Sequence, residues 1–153
     1  MPRRARLLSL AALYPAWLLF EVVHESGHVL HAWVSGGTVE RLELPLAGFS
    51  RTVLSLNPHP LFVAVGGPLW GALLPLAIVS AVPRRWAAAR RAASAFAGLC
   101  CVGNGTYVAV GWTQSAGDAA DLVRLGTPVA TLVLAGSAAV AAGLWLWHGV
   151  GQE

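Results

Sequence analysis

The sequence predicts an all-α membrane protein of about four transmembrane helices, with a short membrane-associated β-hairpin between the first helix and the second. The composition is 56% hydrophobic and only 11% charged, whereas soluble domains carry roughly a quarter charged residues. The arginines also cluster between long apolar stretches, as expected for apolar spans joined by short wet loops. We therefore expect a single integral membrane domain over residues 1–153. Its basic side chains should meet lipid headgroups of the bilayer, and we expect no nucleic acid partner.

The first span is predicted at about 7–34 and ends at the stop Ser35-Gly36-Gly37. Polar and apolar residues then alternate over 38–56 on both sides of a turn at 45–48, which predicts a β-hairpin. Unpaired strand edges are costly in lipid, so the hairpin should lie at the membrane interface or in the mouth of the helix bundle.

Three further spans are predicted at about 60–82, 92–112 and 128–147. The second contains Gly66-Gly67-Pro68 and Pro75, which permit a close helix contact or a local break. A basic loop at 83–91 follows it. After the third span, a polar break at 113–117 leads into a short helix over 118–125 that begins at Asp118.

The arginine distribution predicts the orientation in the membrane. The arginines near the N-terminus and those of the 83–91 loop lie on one side of a four-span arrangement, so both termini should be cytoplasmic. Residues 24–28, which lie about 25 Å along the first helix, are then placed toward the outer leaflet. We expect an integral protein of a bacterial cell membrane.

One motif in the first span indicates chemistry. In His24-Glu25-Ser26-Gly27-His28 the two histidines are four residues apart, which places both on one helix face at a spacing that suits one Zn²⁺ ion. Glu25 would then lie beside the metal and could activate its water as a general base, the role this spacing serves in metallopeptidases. Ionisable groups at membrane depth are expensive and usually serve a site, so the apolar context favours a metal site.

Two histidines leave zinc short of a third protein ligand. The donors near the ends of the spans are Asp118, Asp121, His59 and His31. Because His31 lies one turn beyond His28, it is more typical of an outer or interfacial position than of a ligand. Residue spacing alone leaves the choice among these donors open.

The sequence resembles the site-2 protease family of intramembrane zinc metalloproteases. The resemblance rests on the His24–His28 motif, on the hairpin after Gly36-Gly37, and on Gly66-Gly67-Pro68-Leu69, which is similar to the family's Gly-Pro signature. It implies a minimal, single-domain member with Zn²⁺ held by His24, His28 and Asp118. The second family motif has glycine after its aspartate, whereas alanine follows Asp118 here, so Asp121 is an alternative ligand and Asp118 could instead cap its helix.

The function implied is hydrolysis of peptide bonds in transmembrane or membrane-adjacent substrates, with Glu25 activating the water at zinc. Family members hold the site toward the cytoplasm, opposite to the side that the arginines predict. A partner protein could select substrates. Two alternatives are a non-catalytic zinc-binding membrane protein and a degenerate, protease-like regulator.

Four other residues are candidates for the surroundings of the site. Glu21 lies one turn before Glu25 and could bond a ligand histidine or line a water path. Asn104 and Gln114 could position a substrate, although an amide within a span, as Asn104 is, is also typical of helix-to-helix contacts. Asp121 completes the set as the alternative ligand.

Overall fold

The computed structural model describes residues 3–114 and 117–152, and of residues 3–10 and 152 it describes the backbone alone. The described chain is mostly helical, with five α-helices and one two-stranded antiparallel hairpin. The elements are α1 (Arg3–Val34), β1 (Thr38–Glu43), β2 (Arg51–Leu56), α2 (Pro60–Ala81), α3 (Ala87–Val110), α4 (Asp118–Arg124) and α5 (Val129–Gln152). The helical class and the predicted hairpin are thus confirmed.

Helix α1 ends where the sequence predicts a stop. The backbone N–H of Gly37 donates to Ala32 O at 2.7 Å and that of Gly36 donates to Trp33 O at 3.3 Å. Gly36 has a φ of 79°, a conformation that costs glycine nothing and a residue with a Cβ a good deal. This Schellman arrangement satisfies the last carbonyl groups of the helix and turns the chain into the hairpin.

The hairpin folds back along α1 instead of extending away from it. At its turn, Tyr14 donates its hydroxyl hydrogen to Leu46 O at 2.7 Å, although Tyr14 lies twenty residues before the end of the helix. Further along, the backbone N–H of Ser50 donates to the carboxylate of Glu21 at 3.0 Å. Strand β2 therefore runs beside the part of α1 that carries the histidine motif.

Glycines permit the close contacts between helices. A Cβ built on Gly27 of α1 or on Gly66 of α2 would overlap the backbone of the other helix, and the same holds for Gly105 of α3 and Gly136 of α5. Small residues at helix interfaces let two backbones approach within van der Waals contact, which is a major source of helix association in membranes. These contacts fix α2 against α1 and α5 against α3.

Helix α1 begins at Arg3, before the predicted residue 7, and two later boundaries also differ from those that the sequence predicts. Helix α3 begins at Ala87 and α5 continues to Gln152, so Arg90 and Arg91 belong to a helix and not to the basic loop. The reason for the early start of α3 is local: Arg90 donates to Val79 O and to Val82 O, both at 3.1 Å. The guanidinium thereby supplies donors to carbonyl groups at the end of α2, and the loop shortens to 82–86. In the predicted break at 113–117, residues 115–116 lie outside the described residues.

Three helices in the described part of the chain are long and apolar enough to cross a membrane: Pro60–Ala81, Ala87–Thr113 and Val129–Gly151. Helix α1 has 32 residues and is not among these three. The four-span arrangement therefore stays a prediction.

Candidate metal centre

His24 and His28 converge with Asp118 on one point inside the helix bundle. The two histidine Nε2 atoms lie 3.2 Å apart, and Asp118 Oδ2 lies 2.8 Å from Nε2 of His24 and 3.2 Å from Nε2 of His28. Both histidines are buried and the aspartate is nearly so. The three side chains form a group that could hold a metal ion.

The second ring nitrogen of His24 is fixed by α3. His24 Nδ1 lies 2.7 Å from Asn104 Oδ1, while the Asn104 side-chain amide donates to Cys100 O at 3.0 Å. That second bond identifies the amide nitrogen, so Oδ1 is the acceptor and His24 Nδ1 carries the hydrogen. The lone pair of His24 is then on Nε2, which points at the group.

The second ring nitrogen of His28 is fixed by α2. His28 Nδ1 lies 2.8 Å from Val63 O, a carbonyl that can only accept, so Nδ1 donates and Nε2 again carries the lone pair. The backbone nitrogen of Gly67 is farther from Nδ1, at 3.3 Å. Gly67 also packs directly on the two rings, because a Cβ built on it would overlap Nε2 of both His24 and His28.

Asp118 is the first residue of α4, and its carboxylate does not cap that helix. The N-cap position belongs to Gly117 and carries no side-chain hydrogen bond. Burial by itself raises the pKa of Asp118, but His24 and His28 in their doubly protonated form donate from Nε2 to its carboxylate, and this outweighs burial and holds the pKa well below its usual range. The carboxylate is therefore charged and directed at the two histidines.

Glu25 is held from the hairpin. Thr52 Oγ1 donates to Glu25 Oε2 at 2.5 Å and Ser50 Oγ donates to Glu25 Oε1 at 2.7 Å. Ser50 also contacts the Glu21 carboxylate through its hydroxyl and its backbone N–H. Since a serine hydroxyl has one hydrogen, Ser50 can serve one of the two carboxylates at a time through that hydrogen.

A cavity of about 1190 Å³ opens onto this group. Its wall includes Glu25, both histidines and Asp118, together with residues of β2 and the aromatic ring of Tyr107. Asn57 lines it as well, and Asn57 Oδ1 is buried without a hydrogen-bond partner among the residues that the structure describes. A buried, unpaired acceptor is unfavourable until something donates to it.

The remaining residues that the sequence suggested for the site make different contacts. Asn104 contacts His24, and Glu21 contacts the hairpin rather than a histidine. Asp121 forms an ion pair with Arg124, and Gln114 is exposed at the edge of the cavity. The structure thus brings Asp118, and not Asp121, to the histidines.

His31 connects α1 to α2 through hydrogen bonds. Its Nδ1 donates to Phe62 O at 2.6 Å, and its Nε2 accepts from the indole N–H of Trp70 at 3.0 Å. Both ring nitrogens are therefore used. His59 is exposed immediately before α2.

Four residues near the centre were missed by sequence reasoning: Ser50, Thr52, Asn57 and Tyr107. The alternation in β2 places residues 50, 52 and 54 on one face, so it could have indicated that Ser50 and Thr52 share an environment. No local pattern indicates which helix that face meets.

No protein-family model, curated protein or solved structure matches the chain.

Proposed function

We propose that this protein is an intramembrane zinc metallopeptidase of the site-2 protease type. The observation that carries the proposal is the convergence of His24, His28 and Asp118 in a cavity that Glu25 also lines. Each histidine presents Nε2, and each is held at Nδ1 by a different helix. Such outer contacts are the usual support of catalytic metal ligands.

Zinc fits this donor set better than magnesium or calcium do. Two imidazole nitrogens and one carboxylate oxygen are a common catalytic zinc set, whereas the harder ions prefer oxygen ligands. Tetrahedral zinc with bonds of 2.0–2.1 Å separates its ligand atoms by about 3.3 Å. The separations of 2.8, 3.2 and 3.2 Å are close to that value.

The membrane setting follows from the helices. Helix α1 is about 48 Å long at 1.5 Å per residue, more than the roughly 30 Å of a bilayer core, and we propose it as a fourth span. Its ionisable residues Glu21, His24, Glu25 and His28 are all buried. Polar groups of a span that face the bundle interior are typical of functional sites in membranes.

The proposed reaction is hydrolysis of a peptide bond. When bound, zinc would supply Lewis acidity toward a water molecule and toward the substrate carbonyl. Glu25 accepts a proton from the attacking water and transfers it to the leaving amine. Ser50 and Thr52 orient the Glu25 carboxylate, and the surrounding helices limit the access of other water.

The substrate we propose is an extended segment of a membrane protein or peptide. Helical hydrogen bonds shield the carbonyl groups of a transmembrane substrate, so the segment must unwind before cleavage. Its backbone can pair with the edge of β2, and Asn57 Oδ1 offers an acceptor to one of its N–H groups. The cavity has the volume for several residues of such a segment.

The experiment that tests the proposal compares the wild-type protein with a Glu25→Gln variant and with Glu40→Gln as a matched control on the exposed face of β1. Each purified protein, loaded with zinc in detergent, is incubated with a peptide mixture prepared from the membrane fraction of the expression host. Mass spectrometry then counts new peptide termini. We expect new termini with the wild-type and Glu40→Gln proteins and none with Glu25→Gln.

New termini that persist with a folded Glu25→Gln variant would contradict the proposal. Zinc binding by a wild-type protein that yields no new termini would instead favour the non-catalytic zinc-binding alternative. The three proteins should have equal zinc content, since the substitutions leave the ligands in place.

A further inference from the structure

We propose that Tyr107 is a positioning residue for the metal centre: its hydroxyl group holds the backbone of Asp118 where the carboxylate can reach both histidines. The inference rests on the zinc centre of the proposed function. It assigns a role to an aromatic residue of α3 that contacts neither histidine by a hydrogen bond and that the proposed hydrolysis does not itself require.

The first observation is the contact between Tyr107 and the start of α4. The backbone N–H of Asp118 donates to the Tyr107 hydroxyl oxygen at 2.8 Å. The first four N–H groups of an α-helix lack partners within the helix, and an N-cap side chain serves the N–H of the second or third helical residue. Asp118 is the first residue of α4, so its N–H needs an acceptor from outside the helix, and a tyrosine of α3 supplies it.

The second observation concerns Gly117 itself. Its φ is 90°, a conformation that favours glycine, and a Cβ built on it would overlap the hydroxyl oxygen of Tyr107. Two features therefore favour glycine at position 117: the positive φ of the backbone, and the lack of space for a Cβ beside the Tyr107 hydroxyl group. The glycine that precedes the aspartate in this chain makes room for the contact that holds the aspartate.

The contact with Tyr107 holds the end of α4 that carries Asp118, and so it affects the position of the Asp118 carboxylate. Helix α4 has seven residues, too few to be stable by itself, and it is also held by apolar packing, in which Leu122 contacts Val108 and Leu132. Removal of the hydroxyl leaves this apolar packing in place but releases the end of α4 that carries Asp118. We therefore expect the carboxylate to lose its alignment while the protein stays folded.

The test measures metal affinity and ligand geometry without any substrate. Zinc affinity is determined by chelator competition for the wild-type protein, for Tyr107→Phe and for Tyr14→Phe. Tyr14→Phe is the matched control, because it removes a hydroxyl that donates to the hairpin at Leu46 O. Cobalt(II) substitution reports ligand geometry through its visible absorption, and thermal unfolding of the metal-free proteins reports stability.

We expect Tyr107→Phe to bind zinc about tenfold more weakly, the lower end of what loss of an outer contact costs. Its cobalt spectrum should change, whereas Tyr14→Phe should match the wild type in both measurements. Gly117→Ala should weaken zinc binding in the same direction. Equal unfolding temperatures of the metal-free Tyr107→Phe and wild-type proteins would exclude a general loss of stability as the cause.

Wild-type affinity and an unchanged cobalt spectrum in Tyr107→Phe would overturn the inference and leave the peptidase proposal intact. Weaker zinc binding by Tyr107→Phe in a protein that cleaves no peptide would support the inference and contradict the peptidase proposal. A wild-type protein that binds no zinc would overturn both.

Discussion

At the scale of single residues, the centre depends on contacts made behind each proposed ligand. Asn104 holds His24, the carbonyl group of Val63 holds His28, and Tyr107 holds the backbone of Asp118. These three partners come from α3 and α2, while the ligands come from α1 and α4. The Nε2 atoms of both histidines and the Asp118 carboxylate are thus directed at one point, an arrangement that favours metal affinity.

Substitution of Asn104 tests the contact behind His24. Asn104→Ala removes the acceptor for the Nδ1 hydrogen and leaves that donor buried, so the imidazole loses its fixed orientation. We expect zinc affinity to fall by about 10- to 100-fold, measured by chelator competition. Asn104→Asp keeps an acceptor oxygen and should retain most of the affinity. Equal loss in both variants would contradict this role.

Gly67 tests whether the second helix must approach the imidazole rings closely. A methyl group at this position overlaps Nε2 of both histidines, so Gly67→Ala should abolish zinc binding. Gly149→Ala is the control, because a Cβ there meets no atom within 4 Å. Metal analysis of the two purified variants checks the prediction, and stoichiometric zinc in Gly67→Ala would refute it.

The residues of the candidate metal centre differ in how readily the sequence predicts them. His24 and His28 follow from a local spacing on one helix, so a short pattern was enough to find them. Asp118 is 90 residues beyond His28, and only the family resemblance singled it out from Asp121. Tyr107 and Asn104 act through contacts between helices, and the residue pattern of a single helix does not state which neighbour each face meets.

At the scale of elements, the hairpin contributes two side chains to the surroundings of the candidate site. Ser50, just before β2, and Thr52 of β2 donate to the two oxygens of Glu25. The hairpin itself was predictable from its alternation and turn. Its position along α1 was not, since it depends on the contacts of Tyr14 and Glu21 with a segment more than 25 residues away.

Thr52 tests whether the hairpin orients the general base. Thr52→Val keeps the shape of the side chain and removes one hydrogen bond to a charged group, which is worth about 1.5 kcal/mol. The cleavage rate of a peptide found with the wild-type protein should fall about tenfold, with zinc content unchanged. Thr52→Ser should restore the rate, and Ser55→Ala, on the same strand but exposed, should not alter it. A wild-type rate in Thr52→Val would contradict the role.

At the scale of the whole molecule, the most apolar helices are α2, α3 and α5, and the buried ionisable side chains belong mainly to α1. Three helices have the length and apolar character of membrane spans, and the histidines and glutamates of α1 are buried. The three apolar helices α2, α3 and α5 were predictable from composition, whereas the fourth span stays a prediction. The helix ends were less predictable, because Arg90 of α3 pairs with carbonyl groups of α2 rather than with solvent.

The orientation in the membrane can be measured by labelling. Arginine counting predicts that His59 lies outside and that Arg84 faces the cytoplasm; both are exposed. With a membrane-impermeant maleimide, His59→Cys should be labelled in intact cells and Arg84→Cys only after permeabilisation. The native Cys100 and Cys101 are buried and should give little background. The reverse pattern would contradict the arginine count and agree with the family resemblance.

Metal analysis of the purified protein beside two aspartate variants tests the central claim most directly. We predict about one zinc ion per chain in the wild-type protein and in Asp121→Ala, and loss of the metal in Asp118→Ala. Both variants remove one carboxylate from the same short helix, so the comparison isolates the ligand. Zinc retained by Asp118→Ala, or a wild-type protein that holds no zinc after incubation with the metal, would contradict the assignment of His24, His28 and Asp118 as a zinc centre.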